Sequence, residues 1–220
     1  PALLLYPPLS YYLAVAPAML GMDPLLSYKV VDAIFYWIAP VAIYFLGKEL
    51  GFTRGESALG ALLYSVVPEV IENYLFFDRF PTVISIPVFC AFVIMFHRAL
   101  TRPQRSLNLL ASVFTMSGLI LTHHLSALIG GTLAALILLL RMGTGGFKKA
   151  ATAVVVVAVG TLALTAFWLA PFLLSLKLFV TNPFFNRNAG FPFIRLVYFG
   201  LDVTCYLLGV AQFILAAVAV

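Results

Sequence analysis

Charge is scarce in this chain. Asp, Glu, Lys and Arg together make up 10% of its 220 residues, and only eight are acids, too few to clothe a water-soluble globule. Cysteine is scarcer still. Cys90 and Cys205 stand apart in apolar segments, outside any CxxC or Cys/His spacing, so neither a disulfide framework nor a zinc site is indicated and both read as small buried hydrophobes. Strand-like alternation is missing as well: Ala150 to Leu164 is apolar on every face, a pattern that argues against a β-barrel. The net charge of +5 suggests nucleic acid at first sight, but the basic residues are dispersed, with no aromatic-interleaved patch, which removes that partner. Pro1 opens the sequence with no basic n-region, so no signal peptide is recognisable, and an apolar run reaches Val220; both ends read as cuts in a longer protein.

What is abundant is apolar surface. Hydrophobic residues account for 63% of the chain, and the mean hydropathy is +1.08. The bilayer is therefore its natural solvent, and in lipid the backbone polar groups must be satisfied within helices. Leu9 to Leu20 reaches only about 18 Å as a helix, too short to cross, and with Tyr6, Tyr11 and Tyr12 beside it reads as an interfacial helix entered through Pro7-Pro8. Spans are expected at Ser27–Gly47, closed by Lys48 and Gly51, at Ser57–Val70, and at Thr82–Phe96, ending on His97 and Arg98. The run Leu107–Leu140 would make a helix of roughly 50 Å, far more than one crossing, so it divides at Thr122-His123-His124 into two short helices. Ala150–Leu174, interrupted by Pro171, and Leu196–Val220 complete the count. The expected fold is all-α: one transmembrane domain over 1–220, of about seven spans. Residues 1–22 form its interfacial helix, 27–141 its core spans and 150–220 its later spans, with an outer loop at 175–195.

Basic residues test this topology, because they collect on the cytoplasmic side. One face receives Lys48, Arg54, Arg98, Arg102, Arg105, Arg141, Lys148 and Lys149; the other receives Lys29, Arg79, Lys177, Arg187 and Arg195, spread over longer segments. The first face is expected to be cytoplasmic in a multi-pass cell-membrane protein. Reading Leu107–Leu140 as one span would put Arg105 and Arg141 on opposite sides and weaken the asymmetry.

The outer face then holds Tyr6, Asp23, Glu69, Glu72, Asp78, Arg79, His123 and His124, most of the titratable groups that are not Lys or Arg. Ionisable groups at membrane depth tend to mark sites or pathways. His123-His124 suits phosphate binding or acid–base work, with helix capping at a wet interface as the alternative. Neighbours on a helix differ by about 100°, so both rings meet one ligand only if the helix is broken there. Glu69 and Glu72, three apart, suit a divalent cation or a general base, and Arg79 suits a phosphate or sugar clamp; a solvated loop with an Asp78-Arg79 ion pair is the plainer reading. Asp32 and Asp202 read as helix–helix contacts, and Trp37 and Trp168 as packing or interfacial residues.

Tyr6-Pro7-Pro8-Leu9-Ser10-Tyr11-Tyr12 resembles the His/Tyr-Pro-Pro-Leu-x-Tyr-Tyr segment of GT-C-type membrane glycosyltransferases, and Tyr44 to Gly51 and Tyr74 to Arg98 resemble later parts of that class. Thr122-His123-His124-Leu125-Ser126-Ala127-Leu128 stands where the class has a Thr-Lys-Gly-like turn, with His in place of Lys. A nearer resemblance, carried by the YPPL start, the His-His turn and Phe167-Trp168-Leu169-x-Pro171-Phe172, is to the membrane proteins called 6-pyruvoyl-tetrahydropterin synthase-related. No three-histidine zinc site of the soluble synthase accompanies it. The resemblance implies a GT-C-like bundle that transfers a sugar from a polyprenyl-phosphate donor at the outer face. His123 and His124 would lie near the phosphate, and Arg79, Glu69, Glu72, Asp78 and Tyr6 around the substrate. The resemblance places the main catalytic acid upstream of Tyr6. A transporter or flippase of a lipid-linked substrate would use the same outer cavity without chemistry, and a non-catalytic assembly subunit is the third reading.

Overall fold

Proline and short polar side chains set the helix starts. The computed structural model describes residues 7–67, 70, 80–143 and 145–180, with side chains through Leu174. The chain divides into two units, 1–172 and 173–220. The first unit holds all of the helices but the final turns of the last one, and those turns are the described part of the second.

Helix α1 (Pro8–Met19) carries Pro8 in its first turn, where a missing amide costs nothing. At 12 residues it is the short helix expected over Leu9–Leu20, and Tyr11 and Tyr12 lie exposed on it. Helix α2 (Pro24–Glu49) is capped by Asp23, whose carboxylate accepts the Leu26 amide at 3.0 Å. It stops at Gly51, which adopts φ +93°, a conformation that disfavours any side chain; the Phe52 amide then reaches back to the Gly47 carbonyl at 3.1 Å. The remaining helices are α3 (Arg54–Val66), α4 (Phe80–Thr101), α5 (Arg105–Thr122), α6 (His124–Leu140) and α7 (Phe147–Val180).

Helix α3 opens on a reciprocal cap between Thr53 and Glu56. Glu56 accepts from the Thr53 amide at 2.8 Å and the Thr53 hydroxyl at 2.7 Å. The Thr53 side-chain bond, then the backbone bond, holds the Glu56 carboxyl below its ordinary value of 4.5. A carboxyl depressed on folding contributes above its unfolded pKa and loses that contribution as pH falls through the folded value. The Thr53 amide resonance is expected to titrate with a midpoint below 4.5 and to lose that step in Glu56→Ala; a midpoint at or above 4.5 contradicts the cap.

Four helices are long and apolar enough to cross a bilayer: α2, α4, α5 and α7 through Leu174. The remaining two candidate crossings are shorter: α6 has 17 residues and α3 has 13, about 26 and 20 Å of helix. Six of the seven expected crossings thus correspond to helices, four of them of full span length, and the seventh, Leu196–Val220, lies outside the described residues. Helix α7 runs through Pro171 to Val180, so the segment expected to open an outer loop at 175 is still helical.

Beside buried Phe80, Ile84, Phe92 and Phe96, the bundle encloses small polar residues and leaves large apolar ones outside. On α2, Ile34, Trp37, Ile38, Val41 and Phe45 form an exposed stripe at helical spacing, while Ser27, Asp32 and Ala39 are buried. Across the bundle the buried polar set is Ser- and Thr-rich, with Ser10, Ser85, Ser112, Thr122 and Thr165 all fully enclosed. Lipid gives no hydrophobic reason to bury Leu, so close approach of small residues and interhelical hydrogen bonds hold the helices together. Most of these hydroxyls bond back to their own helix, as Ser112 does to the Asn108 carbonyl at 2.7 Å. Ser27 instead donates to the Ala14 carbonyl and ties α1 to α2. Helix α4 is the hub, packed against α1, α2, α5 and α6.

Side-chain contacts fix which ends share a face. Glu49 at the end of α2 binds Arg98 at 2.8 Å and Arg102 at 2.9 Å from the end of α4, with His97 at 3.3 Å. Arg105 at the start of α5 donates to the Lys149 carbonyl at the start of α7 at 3.0 Å. Of the basic residues expected on one face, Arg98 and Arg102 thus meet at Glu49, and Arg105 meets the start of α7.

Candidate functional site

The opposite end is built around the break between α5 and α6, about 27 Å of helix from Arg105. Neither Gly nor Pro makes it. Thr122 turns its hydroxyl back on the Gly118 carbonyl at 2.8 Å, the His123 amide closes on the Leu119 carbonyl at 2.7 Å, and His123 then extends at φ −158°, ψ 102°. Its carbonyl accepts the Ala127 amide at 3.2 Å and starts α6. With the helix broken the two imidazoles are not forced 100° apart: their centroids lie 5.9 Å from each other, so one ligand can meet both. The first amides of α6 have no carbonyl within their own helix, which adds donor capacity at the same end.

His123 Nδ1 lies 2.8 Å from the Ser126 hydroxyl, and Ser126 lies 2.8 Å from the Ser85 hydroxyl of α4. Ser85 donates to the Thr82 carbonyl at 2.8 Å. Neither serine attracts notice in the sequence, since Ser85 and Ser126 are 41 residues apart and embedded in apolar runs. The only available signal was that Ser126 follows the histidines by a helical step.

His124 heads an open groove of about 530 Å³. Its floor is one face of α6 (Ala127, Leu128, Gly131, Thr132, Ala135), about 12 Å long; Met116 and Ile120 of α5 form one wall, and Trp168, Leu169 and Phe172 of α7 the other. Trp168 stacks on Phe172 at 4.9 Å, and Phe172 lies 6.3 Å from the His124 ring. Trp168 is only 5% exposed, with its indole N–H unpartnered among the described residues. The expectation of packing for Trp168 holds, and it also walls the groove; Trp37 is 68% exposed on the lipid stripe. Cys90 is buried as expected.

Of the expected site residues, the structure brings His123 and His124 side by side, and it is His124 that lines this groove. Tyr6, Glu69, Glu72, Asp78 and Arg79 lie outside the described residues, as does Asp202. Among the described residues no three His, Cys, Asp or Glu side chains cluster as a metal site.

Apolar helices of spanning length, an apolar exterior, small polar residues inside and a polar helix break define a multi-pass α-helical membrane protein. The chain belongs to the family described as 6-pyruvoyl-tetrahydropterin synthase related domain, membrane protein, whose model matches residues 3–218. No curated protein and no solved structure matches it.

Proposed function

We propose that this chain forms the donor-binding wall of a membrane glycosyltransferase-like protein that takes a sugar from a polyprenyl phosphate. The supporting observation is a polar histidine turn at the head of an apolar groove, which suits an amphipathic ligand with an anionic head and a hydrocarbon tail. On this reading the phosphate meets His123 and His124 beside the start of α6, and the isoprenoid lies along Ala127, Gly131 and Ala135. Protonated imidazole would stabilise the charge that develops on the leaving phosphate as the sugar departs. Arg79 serves as a second clamp, while Glu69, Glu72 and Asp78 face the acceptor or a divalent cation and Tyr6 borders the site. The basic end faces the cytoplasm by the distribution of Lys and Arg, which makes the histidine end extracytoplasmic.

The test is turnover of a radiolabelled polyprenyl-phosphate sugar by purified full-length protein. Label should leave the donor, and His123→Ala should slow that by about 100-fold, the scale of losing one charge-stabilising donor. Binding without turnover sinks the transfer reading in favour of lipid transport.

A further inference from the structure

The chain of hydroxyls behind His123 has a fixed direction. The Thr82 carbonyl can only accept, so the single Ser85 proton is committed to it at 2.8 Å. Ser85 must then accept across its 2.8 Å contact with Ser126, which uses the single Ser126 proton. Ser126 is left with only lone pairs for His123 Nδ1, also at 2.8 Å. Nδ1 must therefore carry the hydrogen. Any reversal would set two lone pairs against each other at hydrogen-bond distance in a site where Ser85 is fully buried and Ser126 nearly so.

We infer that Ser85 and Ser126 are positioning residues that lock His123 in the Nδ1–H tautomer and keep Nε2 as the nitrogen that exchanges a proton. The order matters for chemistry because the two imidazole nitrogens differ in what they can offer. A neutral His123 presents a lone pair at Nε2. A protonated one presents an N–H there, while the bonds through Ser126, Ser85 and Thr82 stay as they were. The switch between base and anion donor thus requires no rearrangement behind the ring. That Nε2 is the atom meeting a lipid phosphate rests on the functional reading above; the tautomer does not.

Histidine-selective 15N labelling tests both parts, since the chain holds three histidines, His97, His123 and His124. The His123 signals, assigned by their loss in His123→Ala, should show a protonated Nδ1 and an unprotonated Nε2 at high pH. Ser85→Ala removes a hydroxyl that does not touch the ring. It frees the Ser126 proton to turn toward Nδ1, so His123 should move to a comparable mixture of tautomers while His97 and His124 stay in place. Ser126→Ala should give a similar mixture. A wild-type His123 in the Nε2–H form, or a tautomer unmoved by Ser85→Ala, overturns the relay. Adding geranyl phosphate to the wild-type protein should shift His123 Nε2 and leave Nδ1 unchanged. If Nδ1–H is intact but Nε2 does not respond, the phosphate-lipid reading fails and the relay stands.

Discussion

Glu49→Ala is expected to destabilise the bundle by on the order of 3 kcal/mol, because one carboxylate, covered by its partners, joins the ends of two central helices. The Glu49 side chain is 4% exposed and receives Arg98, Arg102 and His97 within 2.8 to 3.3 Å. Hydrogen bonds to charged groups contribute about 1.5–3 kcal/mol each, and here they are not additive, since all three donors share one acceptor. The loss stays below that of a fully buried pair: the orphaned donors are 33%, 54% and 38% exposed for Arg98, Arg102 and His97, and can hydrate. An acid in the last turn of a helix opposes its dipole, whereas Arg98 and Arg102 near the end of α4 complement theirs. Glu49 is therefore unfavourable where it stands unless the cations come to it. Reversible unfolding in mixed micelles should rank Glu49→Ala well above Arg98→Ala, and Arg98→Ala above Arg102→Ala, the last costing under about 1 kcal/mol as the most exposed partner. If Glu49→Ala unfolds within about 0.5 kcal/mol of the native protein, the cluster is a surface decoration rather than a tie.

This cluster also marks a boundary of what the sequence discloses. Periodicity and length are local, so α1, the end of α2 at Gly51 and the break at Thr122-His123-His124 could be read from residues near one another. The break was inferred from two costs, a helix too long for the bilayer and Arg105 and Arg141 on opposite sides, and the structure ends α5 at Thr122 and starts α6 at His124. Which polar groups meet is not local. Glu49 joins Arg98 and Arg102 across 49 and 53 residues, and Ser85 joins Ser126 across 41, with nothing in either segment to announce the other. Helix ends drifted for a related reason. α4 ends and α7 begins beyond their apolar cores, because Arg98 and Lys149 remain helical where tertiary partners hold them. Of the candidate site, the two histidines were legible because a polar pair is conspicuous in lipid. The serines behind them were not, since Ser in a membrane helix is ordinary and bonds to its own backbone by default.

Gly160→Ala is expected to cost about 1–3 kcal/mol, the range for forcing atoms into a closely packed interface. A Cβ at this position would lie 2.9 Å from both methyl carbons of Val113 on α5. Valine offers no flexible end that can swing away; its methyls sit one bond from Cβ and its χ1 is stiff, so α7 must move from α5 instead. That movement also opens the contact of the Thr161 hydroxyl with the Val113 carbonyl, at 3.5 Å already long. In lipid little opposes the separation, because tails fill the gap as well as side chains do, and close approach is what favoured the pair. Val113→Ala removes both obstructing methyls, so the double variant should be more stable than the sum of the single costs by more than about 0.5 kcal/mol. Trp168 follows Gly160 by about two turns of α7 and walls the groove, so it reports the same movement optically. With Trp37→Phe removing the exposed indole, Gly160→Ala should shift Trp168 emission and Val113→Ala should return it. Emission and stability both unchanged in Gly160→Ala would mean that α5 and α7 do not depend on this contact, and a shift that Val113→Ala leaves in place would mean that Val113 is not what the new methyl meets.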